Sequence, residues 1–238
     1  MTIKPILIIG GGRVSAPLRD YLKWRKIPHR LYHRRQKTPL EKAAKGAAVV
    51  FLLIKDDLIA DFVRTNPCLK GKKLIHFSGS QSFKNILGMH PFMSFSGRKI
   101  MPREYEKIHF VSENPAEIRK CLPWLKNPIV KIKPNDKPLY HALCCMGSNF
   151  PVILWTKTLE KLSGKFHIPR KAIFDYYRAS LENFIHNPRK SLTGPLVRKD
   201  EGTIKSHLKV LRKSEFLNIY SAFLQPAALT KQMSRSKK

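Results

Sequence analysis

The chain has 238 residues, enough for two modest domains, and 42% of them are hydrophobic, as in an ordinary folded protein. Apolar runs such as residues 47–54 are too short to cross a bilayer, and the start MTIKPILIIG lacks the longer apolar run and cleavage site of a signal peptide, so a cytoplasmic protein without a membrane partner is expected. The formal charge of +30 raises nucleic-acid binding, but the 46 Lys and Arg are spread along the whole chain, with no RNA-recognition signature, zinc-finger spacing or basic repeat interleaved with aromatics, which argues against that class.

Residues 6–9 are wholly apolar, as in a central parallel strand covered on both faces. Glycines follow at once. Val14, Leu18, Tyr21, Leu22 and Ile27 then recur at helical spacing, Pro28 marks the stop, and residues 29–33 read as a second strand. Strand, glycine turn, helix and strand make one βαβ unit. A charged connection over 34–46 leads to a third strand within 47–54. Asp56 is placed to N-cap a helix carrying Leu58, Ile59, Phe62 and Val63. Residues 73–76 form the next strand and end in Ser78-Gly79-Ser80. An apolar piece at 86–89 runs into His90-Pro91. A strand at 108–111, a helix near 115–122 and a strand at 129–132 complete an alternating α/β region.

The pattern changes after Pro134. Leu139, Ala142, Leu143, Met146, Phe150, Ile153, Leu154 and Leu159 outline one long helix within 135–163, kinked at Pro151. Further helices are expected near 170–186, 201–213 and 215–229, followed by a disordered basic tail, KQMSRSKK. The fold class is therefore α/β, with a Rossmann-type, mostly parallel sheet in residues 1–133 and an all-helical domain in residues 134–238. Cys68, Cys121, Cys144 and Cys145 form no Cys-x-x-Cys pair and read as buried thiols in a reducing compartment. The nine histidines show no metal-binding spacing, so no metal is expected.

The run Gly10-Gly11-Gly12-Arg13-Val14-Ser15 has the arrangement of a dinucleotide-binding turn. A first glycine allows the tight turn, and a second lets the backbone approach the pyrophosphate. A small third residue, here Ser15, lets the helix pack closely on the strand, and the helix N-terminus offers unpaired N–H groups to the anion. An enzyme that uses NAD places an acid about 20 residues further on to hold the ribose 2′-hydroxyl. Here that stretch reads Leu31-Tyr32-His33-Arg34-Arg35, without an acid. Arg34 and Arg35 are suited to a 2′-phosphate, so NADP is the expected cofactor; a solvated surface pair is the alternative.

The pieces IIGGGRVSAPL, VVFLLIKDDLI, LIHFSGSQSF, LGMHPFMSFS, LYHALCCMGSNF and LTGPLVRKDEGTIKSHL, in this order, carry a family resemblance. Over nearly its whole length the chain resembles Rossmann-like proteins with a C-terminal helical domain of unknown function. These are relatives of the pyrroline-5-carboxylate reductase, 6-phosphogluconate and β-hydroxyacid dehydrogenase group. The resemblance implies an NADP-dependent oxidoreductase, usually a homodimer through the helical domain, and names no substrate.

Ligands of open α/β sheets lie at the carboxyl ends of the strands, where Ser78, Ser80 and His90 are expected; Ser78 is a candidate for the cofactor and Ser80 for the substrate. His90-Pro91-Phe92-Met93 is similar to the His-Pro-Met of prephenate dehydrogenases, which suggests a catalytic or substrate role for His90. His141, Cys145 and Asn149, spaced by four, share one helical face. By the resemblance His141 would be the acid/base and Asn149 would orient the substrate; contacts between helices at a dimer interface are the other reading. Thr193 and Arg198 flank a Gly-Pro turn suited to a substrate loop, with Arg198 able to hold a carboxylate, while Asp200 can equally cap the next helix. The leading expectation is an NADP-dependent oxidoreductase acting on a small, carboxylate-bearing substrate. A non-catalytic dinucleotide sensor and a basic nucleic-acid-binding protein are the alternatives.

Overall fold

The computed structural model describes residues 4–225, which form two compact units divided between Ile153 and Leu154. The first is built on strands β1 (Ile6–Ile9), β2 (His29–Tyr32), β3 (Val49–Leu52), β4 (Lys73–His76) and β5 (Leu87–Gly88), interleaved with helices α1 (Ser15–Trp24), α2 (Leu40–Ala44) and α3 (Ile59–Thr65). All five strands are parallel, in the order β2-β1-β3-β4-β5. The strand order therefore reverses between β1 and β3, the switch point at which Rossmann sheets open a ligand crevice.

Because successive strand residues point to opposite faces, both faces of this sheet must be covered, and both are. Ile6, Ile8, Phe51 and Ile75 pack with Leu18, Tyr21 and Leu22 of α1. Leu7, Ile9, Val50, Leu52 and Leu74 pack on the other side with Leu40 and Ala44 of α2 and Ile59 of α3. That double burial is why β1 and β3 are unbroken apolar runs.

The chain continues through β6 (His90–Pro91), α4 (Pro102–Tyr105), β7 (Phe110–Ser112), α5 (Pro115–Cys121) and β8 (Ile129–Lys131). The last three strands make a separate small sheet, β6-β7-β8, in which β6 is antiparallel and β8 parallel to β7. The expected single sheet is thus divided, and Phe110, Ile118 and Leu122 extend the core on the α1 side.

The long helix expected after Pro134 is present with one interruption. It comprises α6 (Lys137–Cys144), a π-helical turn at Cys145–Asn149, and α7 (Phe150–Lys165). Pro151 has no N–H for the carbonyl four residues back, and its ring crowds that carbonyl. The chain widens by one residue instead, and the Phe150 N–H reaches back to the Cys145 carbonyl. The division between units falls within α7 rather than at residues 133–134, because α6 is tied into the first unit. Lys137 Nζ makes a buried 2.8 Å ion pair with Glu113 Oε1, and Tyr140 bonds His90.

The second unit holds the remainder of α7 and α8 (Arg170–His186), α9 (Pro195–Arg198), α10 (Glu201–Leu211) and α11 (Phe216–Leu224). Trp155 stacks on Tyr177 with centroids 5.8 Å apart, Thr158 Oγ1 lies 2.7 Å from the Tyr177 hydroxyl, and His207 Nδ1 lies 2.8 Å from that of Tyr220. The expected end of the last helix at 229 and the basic tail lie outside the described residues. No helix among the described residues is long and apolar enough to cross a membrane.

Candidate active site

The glycine turn leaves β1 on the carboxyl edge of the sheet. Gly10 has φ +108° and donates its N–H to the Tyr32 carbonyl at 2.9 Å, which holds the end of β2 beside the turn. A Cβ on Gly10 would overlap the Leu53 carbonyl at the end of β3, so no other residue fits without moving a strand end. Ser15 is buried at the first position of α1, where the third small residue of such turns packs helix on strand. No side chain caps α1, and its first turn contains no acid. Nothing lies within 4 Å of where a Cβ on Gly11 or Gly12 would stand. Open backbone beside an uncapped helix start fits a pyrophosphate.

Arg34 and Arg35, just past the end of β2, are exposed, and no acid occurs in residues 31–35. Arg13 lines a cavity of about 260 Å³ together with Arg98 and Lys99 from the loop after β6. Those last two cations were missed in the sequence, because loop residues with no periodicity announce no neighbour.

Two strand spacings separate β1 from β4, about 10 Å, and the turn after β4 lies on the same edge as the glycine turn. It reads Ser78-Gly79-Ser80. The Ser78 hydroxyl donates to Asp56 Oδ2 and accepts the Gln81 N–H at 3.0 Å. Asp56 therefore does not cap α3, as its position had suggested. The chain enters through a 3₁₀ turn at Asp56–Leu58, and the carboxylate is taken by the neighbouring strand end. Ser78 thus joins the ends of β3 and β4, while Ser80 is half-buried on the same turn.

Gly79 is the floor on which two imidazoles rest. A Cβ there would overlap His141 Cδ2 and come within 2.9 Å of His90 Cδ2 and Nε2. The two rings stand edge to face, with centroids 5.6 Å apart. His90 Nδ1 lies 2.7 Å from the Tyr140 hydroxyl. Burial, reinforced by His141 and the Lys137 charge, pushes the His90 pKa down to about 4, so the ring is neutral at physiological pH. Burial and a hydrogen bond with Cys144 push the Tyr140 pKa well up. A protonated phenol hydrogen-bonded to a neutral imidazole keeps a transferable proton at the groove surface. Tyr140 carries no motif, and only its position one residue before His141 could have drawn attention to it.

Behind this group, Glu113 Oε1 accepts from both Lys137 Nζ (2.8 Å) and Ser82 Oγ (2.7 Å). Burial alone would raise the Glu113 pKa, but the Lys137 and Ser82 hydrogen bonds outweigh it and lower it. The fully buried His76 accepts the Ser78 N–H at Nδ1, and burial followed by the Lys137 charge holds its pKa near 4.

His90, Tyr140, His141, Cys145 and Asn149 line one open groove of about 690 Å³, with Phe92, Met93, Leu139 and Leu143 as its apolar walls. The structure thus brings together three residues expected from sequence, His90, His141 and Asn149. Cys144 and Cys145 are half-buried in this groove rather than packed as core thiols. Thr193 and Arg198 are exposed on the second unit. Asp200 is a helix cap: its Oδ1 accepts the Thr203 N–H at 3.0 Å and its Oδ2 the Thr203 hydroxyl at 2.7 Å.

Residues 113–226 match the family model described as "Domain of unknown function (DUF2520)". Together with the parallel sheet before it, this match accounts for both halves of the resemblance: a Rossmann-like protein with a C-terminal helical domain of unknown function. No curated protein matches the chain in sequence. Among solved structures, a candidate NADP oxidoreductase from Bacteroides fragilis superposes with a TM-score of 0.74 at 19% identity, covering 94% of this chain and 97% of that one. The Streptomyces aurantiacus imine reductase gives 0.65 at 13% identity, covering 95% of each chain. Plasmodium falciparum pyrroline carboxylate reductase, solved with NADP bound, gives 0.57 at 17% identity, covering 97% of this chain and 99% of that one. At these identities the likeness is one of fold.

Proposed function

We propose that the chain is an oxidoreductase that uses NADP and transfers hydride between the nicotinamide and a small carbonyl, imine or alcohol substrate. The observation that carries this reading is the Tyr140–His90 pair seated on Gly79, on the same sheet edge as the uncapped glycine turn. That the three structural relatives above are named for NADP or for reductase activity supports it. Gly10 to Ser15 would hold the pyrophosphate, and Arg34 and Arg35 the adenosine 2′-phosphate. When bound, the dinucleotide supplies the hydride.

The chain's own residues supply the rest. The Tyr140 hydroxyl gives its proton to the substrate oxygen or nitrogen, and the neutral His90 ring relays the replacement, receiving a proton at one ring nitrogen as it gives one to the phenolate from the other. His141 fixes the His90 ring by edge contact, and Asn149 offers an amide to orient the polar end of the substrate. Fluorescence titration with NADPH and NADH tests the cofactor assignment. NADPH binds more tightly, and Arg34→Ala with Arg35→Ala weakens NADPH by roughly 10- to 100-fold, the loss of one to two charge-assisted hydrogen bonds, while leaving NADH unchanged. Tighter NADH binding, or NADPH affinity indifferent to both arginines, rejects NADP.

A further inference from the structure

The groove beside Tyr140 has an unusual charge balance for this chain. Nearly one residue in five is Lys or Arg, 46 of 238. Yet among the described residues of the first unit neither type lines the groove, and the one formally charged side chain they contribute to it is the acid Asp136. Its walls are Phe92, Met93, Leu139 and Leu143, and its working pair is a phenol and a neutral imidazole. A carboxylate or phosphate moved from water against such a lining meets no cation of the first unit and gives up hydration without a partner in return. Asp136 adds like-charge repulsion. An apolar ring system meets aromatic and aliphatic faces instead, in a space sized for a molecule larger than a simple keto acid.

Resting on the hydride-transfer reading above, we infer that this groove takes a substrate with an apolar, ring-sized body and one reducible C=N or C=O group. The substrate carries no carboxylate or phosphate of its own. The reducible group meets Tyr140 and the body lies along Leu139 and Leu143.

Two matched rings test this: 3,4-dihydroisoquinoline and its 3-carboxylate, titrated calorimetrically into the full chain with and without saturating NADP. The plain ring binds at least tenfold tighter in both states. Leu143→Arg, which adds a guanidinium at an exposed lining position, reverses the order. Equal affinities, tighter binding of the carboxylate by the native chain, or binding of neither ring overturns the inference. Failure of NADP itself to bind would instead reject the oxidoreductase reading, and the ranking of the two rings without cofactor would still decide this one.

Discussion

Tyr140 keeps its proton because burial and its hydrogen bond with Cys144 disfavour the phenolate, while burial keeps His90 neutral beside it. Tyr140→Phe removes the hydroxyl and leaves the packing against His90. Once a substrate is found, its turnover falls by roughly 10²- to 10⁴-fold, the usual worth of a positioned acid, with NADPH affinity unchanged. A proportional loss of NADPH binding would assign Tyr140 to the cofactor instead. His76 and His90 also make stability depend on pH. Each has a folded pKa near 4 against an ordinary 6.5, so between those values the unfolded chain binds more protons. Stability is therefore fully present above about pH 7 and is lost as the pH falls through 6.5 towards 4. For fully buried His76 the loss by pH 4 is roughly 3 kcal/mol. Denaturant unfolding of His76→Asn, which keeps an acceptor for the Ser78 N–H, shows a shallower fall on the acid side. An unchanged acid limb would mean that His76 is not the group responsible.

At the scale of elements, the π turn between α6 and α7 decides which side chains of Cys145–Asn149 reach the groove. Its cause is local, the missing amide of Pro151. Its consequence is not, because widening the helix by one residue rotates everything after Cys144 relative to His141. Pro151→Ala restores the amide and lets the turn tighten to an α-helix. Thermal stability stays the same or rises, while substrate KM increases several-fold as Asn149 turns out of register. Retention of native KM would show that the bulge does not serve the site. The regular period of His141, Cys145 and Asn149 was visible in the sequence, and so was the proline. That the proline is met by a π turn rather than a kink shows only in the folded backbone, where the Phe150 N–H reaches the Cys145 carbonyl.

At the scale of the molecule, few apolar side chains are buried among the described residues of the second unit. Leu159 and Ile173 are buried, whereas Phe184, Ile185, Val210 and Phe223 are exposed, Ile185 and Val210 at 70% or more. Exposed apolar surface on this scale is characteristic of a face that meets a partner. We propose that the partner is a second copy of the chain, as the family resemblance implied. Sedimentation equilibrium then gives twice the chain mass of 27.5 kDa at micromolar concentration. Val210→Glu with Ile185→Glu returns the protein to monomer without loss of helix content. A native protein that sediments as a monomer rejects the dimer.

Patterns carried by neighbouring residues were legible in the chain alone. Unbroken apolar runs mark strands covered on both sides, a glycine cluster between strand and helix marks an anion-binding turn, and the switch to helical spacing near Pro134 marks the second architecture. These depend on backbone preferences and on which face of a short segment is buried, so a few adjacent side chains suffice to set them. Pairings between distant segments needed the folded molecule: Tyr140 with His90, Lys137 with Glu113, Ser78 with Asp56, and the two imidazoles on Gly79. Each joins groups at least 11 residues apart whose meeting depends on strand order and helix register, and no local preference encodes those.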